Sequence, residues 1–200
     1  MKERCVSRMP QIFDKMGRDR VRIQLLETGF ELIRQHGMKK TSVSEIAKKA
    51  GIATGTFYNF FPSKEEFIYQ LVVYKRQSVK AAFEELTAEG KADREKFRQY
   101  LCRIYLEDND VFQYLSDEEV DILRSRWKEE YWKNEKNDEQ TSKWILGCLS
   151  GLKPNVNWKV FANFTKSISL IRHGKDKLYE EEYKTTIEIF IDAILDYLFE

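Results

Sequence analysis

Apolar residues recur at spacings of three and four along most of this 200-residue chain, and that spacing constrains the fold more than any other feature. It places apolar side chains on one side of a helix, whereas a half-buried strand needs strict alternation. Only 9 glycines and 3 prolines interrupt the pattern, and hydrophobic residues make up 42% of the chain, enough for a core. We therefore predict an all-α fold.

The first third of the chain predicts four helices. They are expected at residues 19–35, 42–51 and 54–60, and from about residue 62 to residue 86. Gly37 is placed to cap the end of the first helix. Ser42 and Glu45 have the spacing of a capping box, in which the serine accepts from the backbone and the glutamate reaches back. Ser63, followed by acidic residues, predicts the capped start of the fourth helix.

The remainder of the chain predicts five more helices, which gives about nine in all. They are expected at residues 93–106, 117–131, 142–152, 157–173 and 180–199. The polar stretch 133–140 is expected to separate the sixth helix from the seventh. Glu118, Glu119 and Asp121 are interpreted as a solvated face of the sixth helix, since they match no catalytic spacing.

The charge is distributed unevenly along the chain. Residues 1–64 contain 13 lysines and arginines against 6 acidic residues, a net charge of +7, whereas the rest of the chain has a net charge of −6. A basic surface on a small domain is what attraction to nucleic-acid phosphates requires, although a solvated surface with a chance excess would give the same count.

The sequence offers little for catalysis or metal binding. Cys5, Cys102 and Cys148 are widely spaced and are expected to be reduced thiols without an activating neighbour. His36 and His173 are each expected at a helix end. We predict that the chain is not an enzyme and uses no metal or cofactor. Without a bilayer-length apolar run or an apolar leader, it is expected to be cytoplasmic.

Residues 41–64, TSVSEIAKKAGIATGTFYNFFPSK, are the most informative stretch. They predict two short helices around a tight turn, with Gly51 supplying a positive φ angle. The residues expected to pack the two helices together are Ile46, Ala47, Ala50, Ile52, Phe57 and Phe60. Because several positions agree at fixed offsets, a helix-turn-helix is favoured over an ordinary helical hairpin.

In a helix-turn-helix, the second helix enters the major groove of DNA with its N-terminal end, and the first crosses the phosphate backbone. Thr54, Gly55 and Thr56 are therefore expected to face the groove. Threonine hydroxyl and methyl groups can meet base edges there, and the glycine allows the backbone to come close.

Four further residues are expected to contact DNA. Asn59 is expected to reach a base or a phosphate, and the hydroxyl of Tyr58 a phosphate. Thr41 and Lys64, near the starts of the second and fourth helices, are also expected to contact phosphates. In this interpretation phosphate contacts position the protein and groove contacts give specificity.

The stretch TSVSEIAKKAGIATGTFYNFFPSKEE resembles the signature of the TetR family of bacterial transcription regulators. The resemblance is specific over about the first third of the chain and is one of layout only beyond Leu86. It implies a DNA-binding domain over residues 17–64 and a helical effector-binding and dimerisation domain over residues 65–200. Ala53 departs from the family's capping serine or threonine, so either Thr54 caps the third helix or the contact is missing. Asn59 departs from the usual aromatic residue or histidine, which has a longer reach.

The family likeness implies a repressor that a small-molecule inducer releases from double-stranded operator DNA, with the fourth helix as the mechanical link. The corresponding effector region is rich in aromatic residues: Phe97, Tyr100, Tyr105, Phe112, Tyr114, Trp127, Tyr131, Trp132 and Trp144. For any one of them a place in the core is the commoner role, so no pocket residue is named.

The likeness also implies that the last two helices, at residues 157–173 and 180–199, pair with those of a second subunit in a four-helix bundle. Their apolar stripes alone fit a dimer interface and an internal core equally well. DNA binding favours the dimer, because two recognition helices related by a two-fold axis read half-sites about 34–36 Å apart. We predict a homodimer and a roughly palindromic operator.

Two other functions remain open. The chain could be a helical adaptor that binds a protein and ignores DNA, or a ligand-independent activator or architectural protein of the same fold. A DNA-binding protein loses affinity steeply as salt rises, which separates it from the adaptor.

Overall fold

A computed structural model describes residues 15–107, 111–126 and 135–200 of the chain. The α-helices of these residues are α1 (Lys15–His36), α2 (Val43–Lys49), α3 (Thr54–Tyr58), α4 (Lys64–Leu86), α5 (Arg94–Leu106), α6 (Asp117–Arg126), α7 (Glu135–Gly147), α8 (Trp158–His173) and α9 (Tyr183–Leu198). Among the described residues, β-type pairing is limited to two isolated bridges. The all-α prediction is confirmed.

The chain divides into two compact units, the first ending at Phe67 and the second beginning at Ile68. The boundary falls within α4, which begins in the first unit and continues into the second. Apolar side chains spaced three and four apart form a buried stripe on α1. The buried apolar side chains of the first unit are Leu25, Leu26, Phe30, Leu32, Ile33, Ile46, Ala47, Ala50, Phe57, Phe61 and Phe67.

Gly29 allows α1 to approach the start of α4 closely. A Cβ atom at this position would overlap the ring of Phe67, with the ring Cε1 only 2.8 Å away. Phe67 is fully buried, so its ring has little room to withdraw. Position 29 must therefore be a glycine because of Phe67, which lies 38 positions later in the sequence.

The second unit is built around α9. Residues on this helix pack with α4, α5 and α8 in one core, whose fully buried members include Phe83, Phe97, Ile168, Ile187, Ile191, Ile194, Leu195 and Leu198. Of the aromatic residues expected around an effector, Phe97 and Tyr100 are buried in this core, and Trp144 packs against Phe83 with ring centroids 5.1 Å apart. Trp127, Tyr131 and Trp132 lie outside the described residues.

The predicted boundaries of the seventh helix are wrong. Residues 142–152 were expected to be helical and 133–140 to form a connection, but α7 runs from Glu135 to Gly147. The polar start of the helix is held by a Lys143–Glu139 ion pair of 2.6 Å one turn apart and by an ion pair from Asp138 to Lys166 of α8.

The predicted end of that helix is displaced for a different reason. The Ala92 amide donates to the Cys148 carbonyl over 3.0 Å, and the Ser150 amide donates to the Ala92 carbonyl over 2.9 Å. These bonds form an isolated bridge between Ala92 and Leu149. The backbone after Gly147 is therefore used in a long-range pairing, which ends the helix.

The remaining boundaries differ less. The first helix begins at Lys15, before the predicted residue 19, and α3 ends at Tyr58, before the predicted Phe60. The sixth helix is described only to Arg126, so its predicted end at residue 131 lies outside the described residues. The last two helices run close to the predicted ranges, with the Asn157 side chain capping α8.

Glu119 was interpreted as part of a solvated face, which is wrong. Its side chain is 5% exposed, whereas Glu118 and Asp121 are exposed as expected. The Ser116 amide donates to a Glu119 carboxylate oxygen over 2.8 Å, and the Glu119 amide donates to the Ser116 hydroxyl over 3.2 Å. This is a second capping box, which turns the carboxylate back toward the helix start.

Cys102 has a cationic neighbour that the sequence analysis missed. A guanidinium nitrogen of Arg98 lies 3.8 Å from its sulfur. Burial nevertheless raises the pKa of the Cys102 thiol, outweighing the opposing effect of Arg98. A raised pKa leaves less of the reactive thiolate, so this thiol lacks the electrostatic signature of an oxidant sensor.

The described residues offer neither a metal-binding cluster nor a helix that could cross a membrane. They contain no group of three or more histidine, cysteine, aspartate or glutamate residues that could hold a metal ion. Within the same ranges, none of the helices combines the length and apolarity needed to cross a membrane.

Candidate nucleic-acid interface

The start of α2 is fixed by the predicted capping box. The Glu45 amide donates to the Ser42 hydroxyl over 3.2 Å, and the Ser42 amide donates to the Glu45 carboxylate over 2.8 Å. Hydrogen bonds from the backbone and hydroxyl of Ser42 lower the pKa of the Glu45 carboxyl. The ionised Glu45 carboxylate therefore stabilises the start of α2 fully at pH values above the ordinary pKa of glutamate. This stabilisation is lost as the pH falls through the lowered pKa.

Ser42→Ala is expected to destabilise the first unit by about 1 kcal/mol, because the capping hydroxyl is lost. The difference in stability between the variant and the wild type should be clear at neutral pH. It should shrink in acid, where the Glu45 carboxylate of the wild type becomes protonated and its part of the capping box is lost. Thermal unfolding followed by circular dichroism at pH 7 and pH 3 measures both effects. Thr54→Ala removes an exposed hydroxyl from α3 of the same unit and should cause no comparable loss. Equal destabilisation by the two variants would contradict the capping role.

The turn between α2 and α3 has the predicted geometry. Gly51 has a φ angle of +72°, in the left-handed region that favours glycine. The Ile52 amide donates to the Ala47 carbonyl over 3.0 Å, which closes the turn. From α1, the Gln24 side-chain amide donates to the Ala50 carbonyl over 3.3 Å. The end of α2 is thus fixed both by the turn and by a neighbouring helix.

Phe57 anchors the short helix α3 in the core. Its side chain is fully buried, and its ring centroid lies 5.3 Å from that of Phe61 and 5.4 Å from that of Phe67. Phe61 is also fully buried, whereas Phe60, the predicted second anchor, is only half-buried. Since α3 ends at Tyr58, the backbone beyond it no longer follows the helical spacing on which the choice of Phe60 rested.

The opposite side of α3 faces solvent. Thr54, Gly55 and Asn59 are exposed, the side chain of Tyr58 is 50% exposed, and Thr56 is half-buried. Ala53 occupies the N-cap position and provides no side-chain hydrogen bond, and Thr54 is the first residue of the helix. Thr54 therefore does not take over the cap. The structure places the residues predicted to read the groove on one short, accessible helix.

Thr41 and Lys64 lie differently from the other predicted contacts. Thr41 is 1% exposed, and its hydroxyl donates to the Gly37 carbonyl over 2.9 Å. The Lys64 ammonium donates to the Met38 carbonyl over 2.6 Å. Both side chains bond the connection between α1 and α2, so their contacts with DNA remain predictions.

Basic residues at the end of α2 were not singled out from the sequence. Lys48 and Lys49 lie in the last turn of this helix, and both are exposed. A cation there is also favoured by the helix dipole. The sequence could have indicated a phosphate contact for both lysines. They lie in the first helix of the predicted helix-turn-helix, and that helix crosses the phosphate backbone.

A known protein family and two known proteins resemble this chain in sequence. A family model of bacterial regulatory proteins of the TetR family matches residues 25–71. An uncharacterised HTH-type transcriptional regulator of Bacillus subtilis (strain 168), YuxN, is 33% identical over 81 residues, which are 40% of this chain and 28% of that protein. The HTH-type transcriptional repressor KstR2 of Rhodococcus jostii (strain RHA1) is 29% identical over 85 residues, 42% of each chain. The matches thus span less than half the length of these relatives.

A solved structure extends the likeness to the whole fold. A TetR family transcription regulator from Marinobacter aquaeolei VT8 matches with a TM-score of 0.56 over 92% of this chain and 98% of its own, at 22% identity. The family model covers the capping box, the glycine turn and the exposed α3. Over residues 25–71, this helix-turn-helix unit thus matches the family model of TetR-type bacterial regulatory proteins.

Proposed function

We propose that this chain is a DNA-binding transcription regulator, and specifically a repressor that a small molecule releases from its operator. The observation that carries the proposal is the two-sided character of α3, which is anchored by the buried Phe57 and presents Thr54, Gly55 and Asn59 to solvent. A helix fixed in this way, within the basic part of the chain, suits insertion into a major groove.

Each part of the unit has a role in this proposal. The start of α3 lies against base edges, where Thr54 and Thr56 contribute to specificity. Lys48 and Lys49 of α2 contact phosphates, which give affinity but little sequence information. Tyr58 is positioned to donate its hydroxyl to a phosphate.

We further propose that the protein binds DNA as a homodimer through α8 and α9. Large apolar side chains are exposed on both helices: Leu170 is 72% exposed on α8, and Ile189 is 63% exposed on α9. The two helices pack together, with Phe164 and Tyr197 in ring contact at 5.9 Å between centroids. A second copy would cover these side chains and place two recognition helices about 34–36 Å apart for a palindromic operator.

The effector is proposed to bind the second unit and to act through α4, which is continuous from one unit into the other. A ligand can shift operator affinity only by binding the two conformational states of the dimer unequally. Such a regulator acts where the bacterial chromosome is, in the cytoplasm, and needs no catalytic group.

Fluorescence anisotropy tests DNA binding directly. The purified chain is titrated into labelled DNA from upstream of its own gene and into scrambled DNA, across a salt series. Selective binding that weakens linearly with the logarithm of salt concentration is expected. Equal, weak binding to both would mean that this DNA is not the operator. No binding even at low salt would contradict the proposal and favour the adaptor.

Separate variants test base readout and phosphate contact in that assay. Thr56→Ala is expected to weaken the preference for one base in each half-site by about 1–3 kcal/mol, while Thr141→Ala, at an exposed site on α7, leaves base preference unchanged. Lys48→Ala is expected to lower the salt slope by about 0.9 per subunit, and so by about 1.8 for the proposed dimer, and the control Lys96→Ala leaves it unchanged. Lys64→Ala decides whether this lysine reaches a phosphate or stays on the Met38 carbonyl, in which case the slope does not change.

A further inference from the structure

Arg18 of α1 contacts the end of α3. A guanidinium nitrogen donates to the Asn59 carbonyl over 3.1 Å, and the guanidinium carbon lies 5.4 Å from the centroid of the Phe60 ring. Asn59 is the C-cap residue of α3. The contact therefore joins residues 41 positions apart at the end of the helix that is proposed to read DNA.

This contact matters because α3 has only five residues. So short a helix is unstable by itself and takes its orientation from tertiary contacts. Phe57 holds it from the inside, but its N-terminal end has no side-chain cap. A bond to its C-terminal carbonyl, made by a cation favoured at that end of the helix dipole, provides a second fixed point.

The position of Arg18 is unfavourable for its own helix. It lies in the first turn of α1, where the dipole disfavours a cation, and no acidic residue lies in that turn to offset its charge. A local rule broken in this way indicates a role elsewhere in the fold. Arg34, in the last turn of the same helix, lies where a cation is favoured and pairs with Glu31 over 2.8 Å.

We infer that Arg18 is a positioning residue, which orients the recognition helix α3 through the Asn59 carbonyl and the Phe60 ring rather than by contacting DNA. The inference rests on the proposed function for its effect on operator binding. Its effect on α3 itself can be measured without DNA.

Arg18→Met keeps most of the side chain's bulk and removes both the charge and the hydrogen bond. We expect operator affinity to fall about tenfold, the size of one charge-assisted hydrogen bond, with the salt slope unchanged. Affinity for scrambled DNA should stay the same, because contacts with phosphates do not need the exact tilt of α3. Arg34→Met removes the same charge from the same helix and should leave operator affinity unchanged.

Hydrogen exchange provides the second readout. In Arg18→Met, amides from Thr56 to Phe61 should exchange faster than in the wild type, while those of α2 should not change. Unchanged exchange in α3 would overturn the inference. So would a salt slope lowered by about 0.9 per subunit, since Arg18 would then be contacting a phosphate itself. If the wild-type chain binds no DNA selectively, the proposed function fails, and exchange alone decides whether Arg18 positions α3.

Discussion

Phe57→Ala is expected to destabilise the helix-turn-helix unit by about 3–5 kcal/mol, the range for removing a fully buried aromatic side chain. Phe57 lies between Phe61 and Phe67, so the substitution opens a cavity and removes two aromatic contacts. Since a domain is stable by only about 5–15 kcal/mol, much of the unit's stability would be lost. DNA binding should be lost with it at temperatures where the second unit is still folded.

The distribution of tryptophans allows the two units to be followed separately. All four tryptophans lie between residues 127 and 158, in the second unit. Urea unfolding by circular dichroism should show an early transition for Phe57→Ala, whereas tryptophan fluorescence should keep its wild-type midpoint. Phe60→Ala makes the same truncation at a half-buried site and should lower the free energy of unfolding by clearly less. Equal costs would mean that Phe57 is not the principal anchor of α3.

The double variant Leu170→Glu and Ile189→Glu is expected to convert the proposed dimer to a monomer. It places two charges on the exposed apolar side chains of α8 and α9, and burying an unpaired charge is strongly unfavourable. Neither side chain is in the buried core, so each subunit should remain folded. Operator affinity should then fall about 100- to 10,000-fold, because the second half-site no longer binds as part of the same molecule.

Sedimentation velocity measures the oligomeric state, and anisotropy with a full operator and with a single half-site measures affinity. The variant should bind the full operator no more tightly than a single half-site. Its affinity for the half-site should equal that of the wild type. Gln77→Glu combined with Gln99→Glu adds the same charge at exposed sites on α4 and α5 and should stay dimeric. A Leu170→Glu and Ile189→Glu protein that remains dimeric would show that the interface lies elsewhere.

The sequence alone predicted the parts of the fold that are encoded within a few neighbouring residues. The capping box of Ser42 and Glu45 and the left-handed turn at Gly51 both follow from residues close together in the sequence. The all-α architecture follows from apolar periodicity, which depends on the neighbouring turns of each helix. The helix-turn-helix could be predicted for the same reason, because its pattern lies within one short stretch of the chain.

Contacts between distant residues were decided by the tertiary structure. No local pattern distinguishes Phe61 from Phe60 as the buried residue after α3, or shows that Gly29 must be small because of Phe67. The same holds for the end of α7, where backbone pairing with Ala92 stops a pattern that continues in the sequence.

The candidate site divides in the same way. Sequence analysis identified α3 and the residues exposed on it, because their offsets from Gly51 and Phe57 define the motif. It could not determine that Thr41 and Lys64 bond the connection after α1, or that Arg18 bonds the end of α3. Helix periodicity determines which side of a helix is buried, but the partner of each polar group depends on where the fold brings separate segments together, and this only the tertiary structure decides.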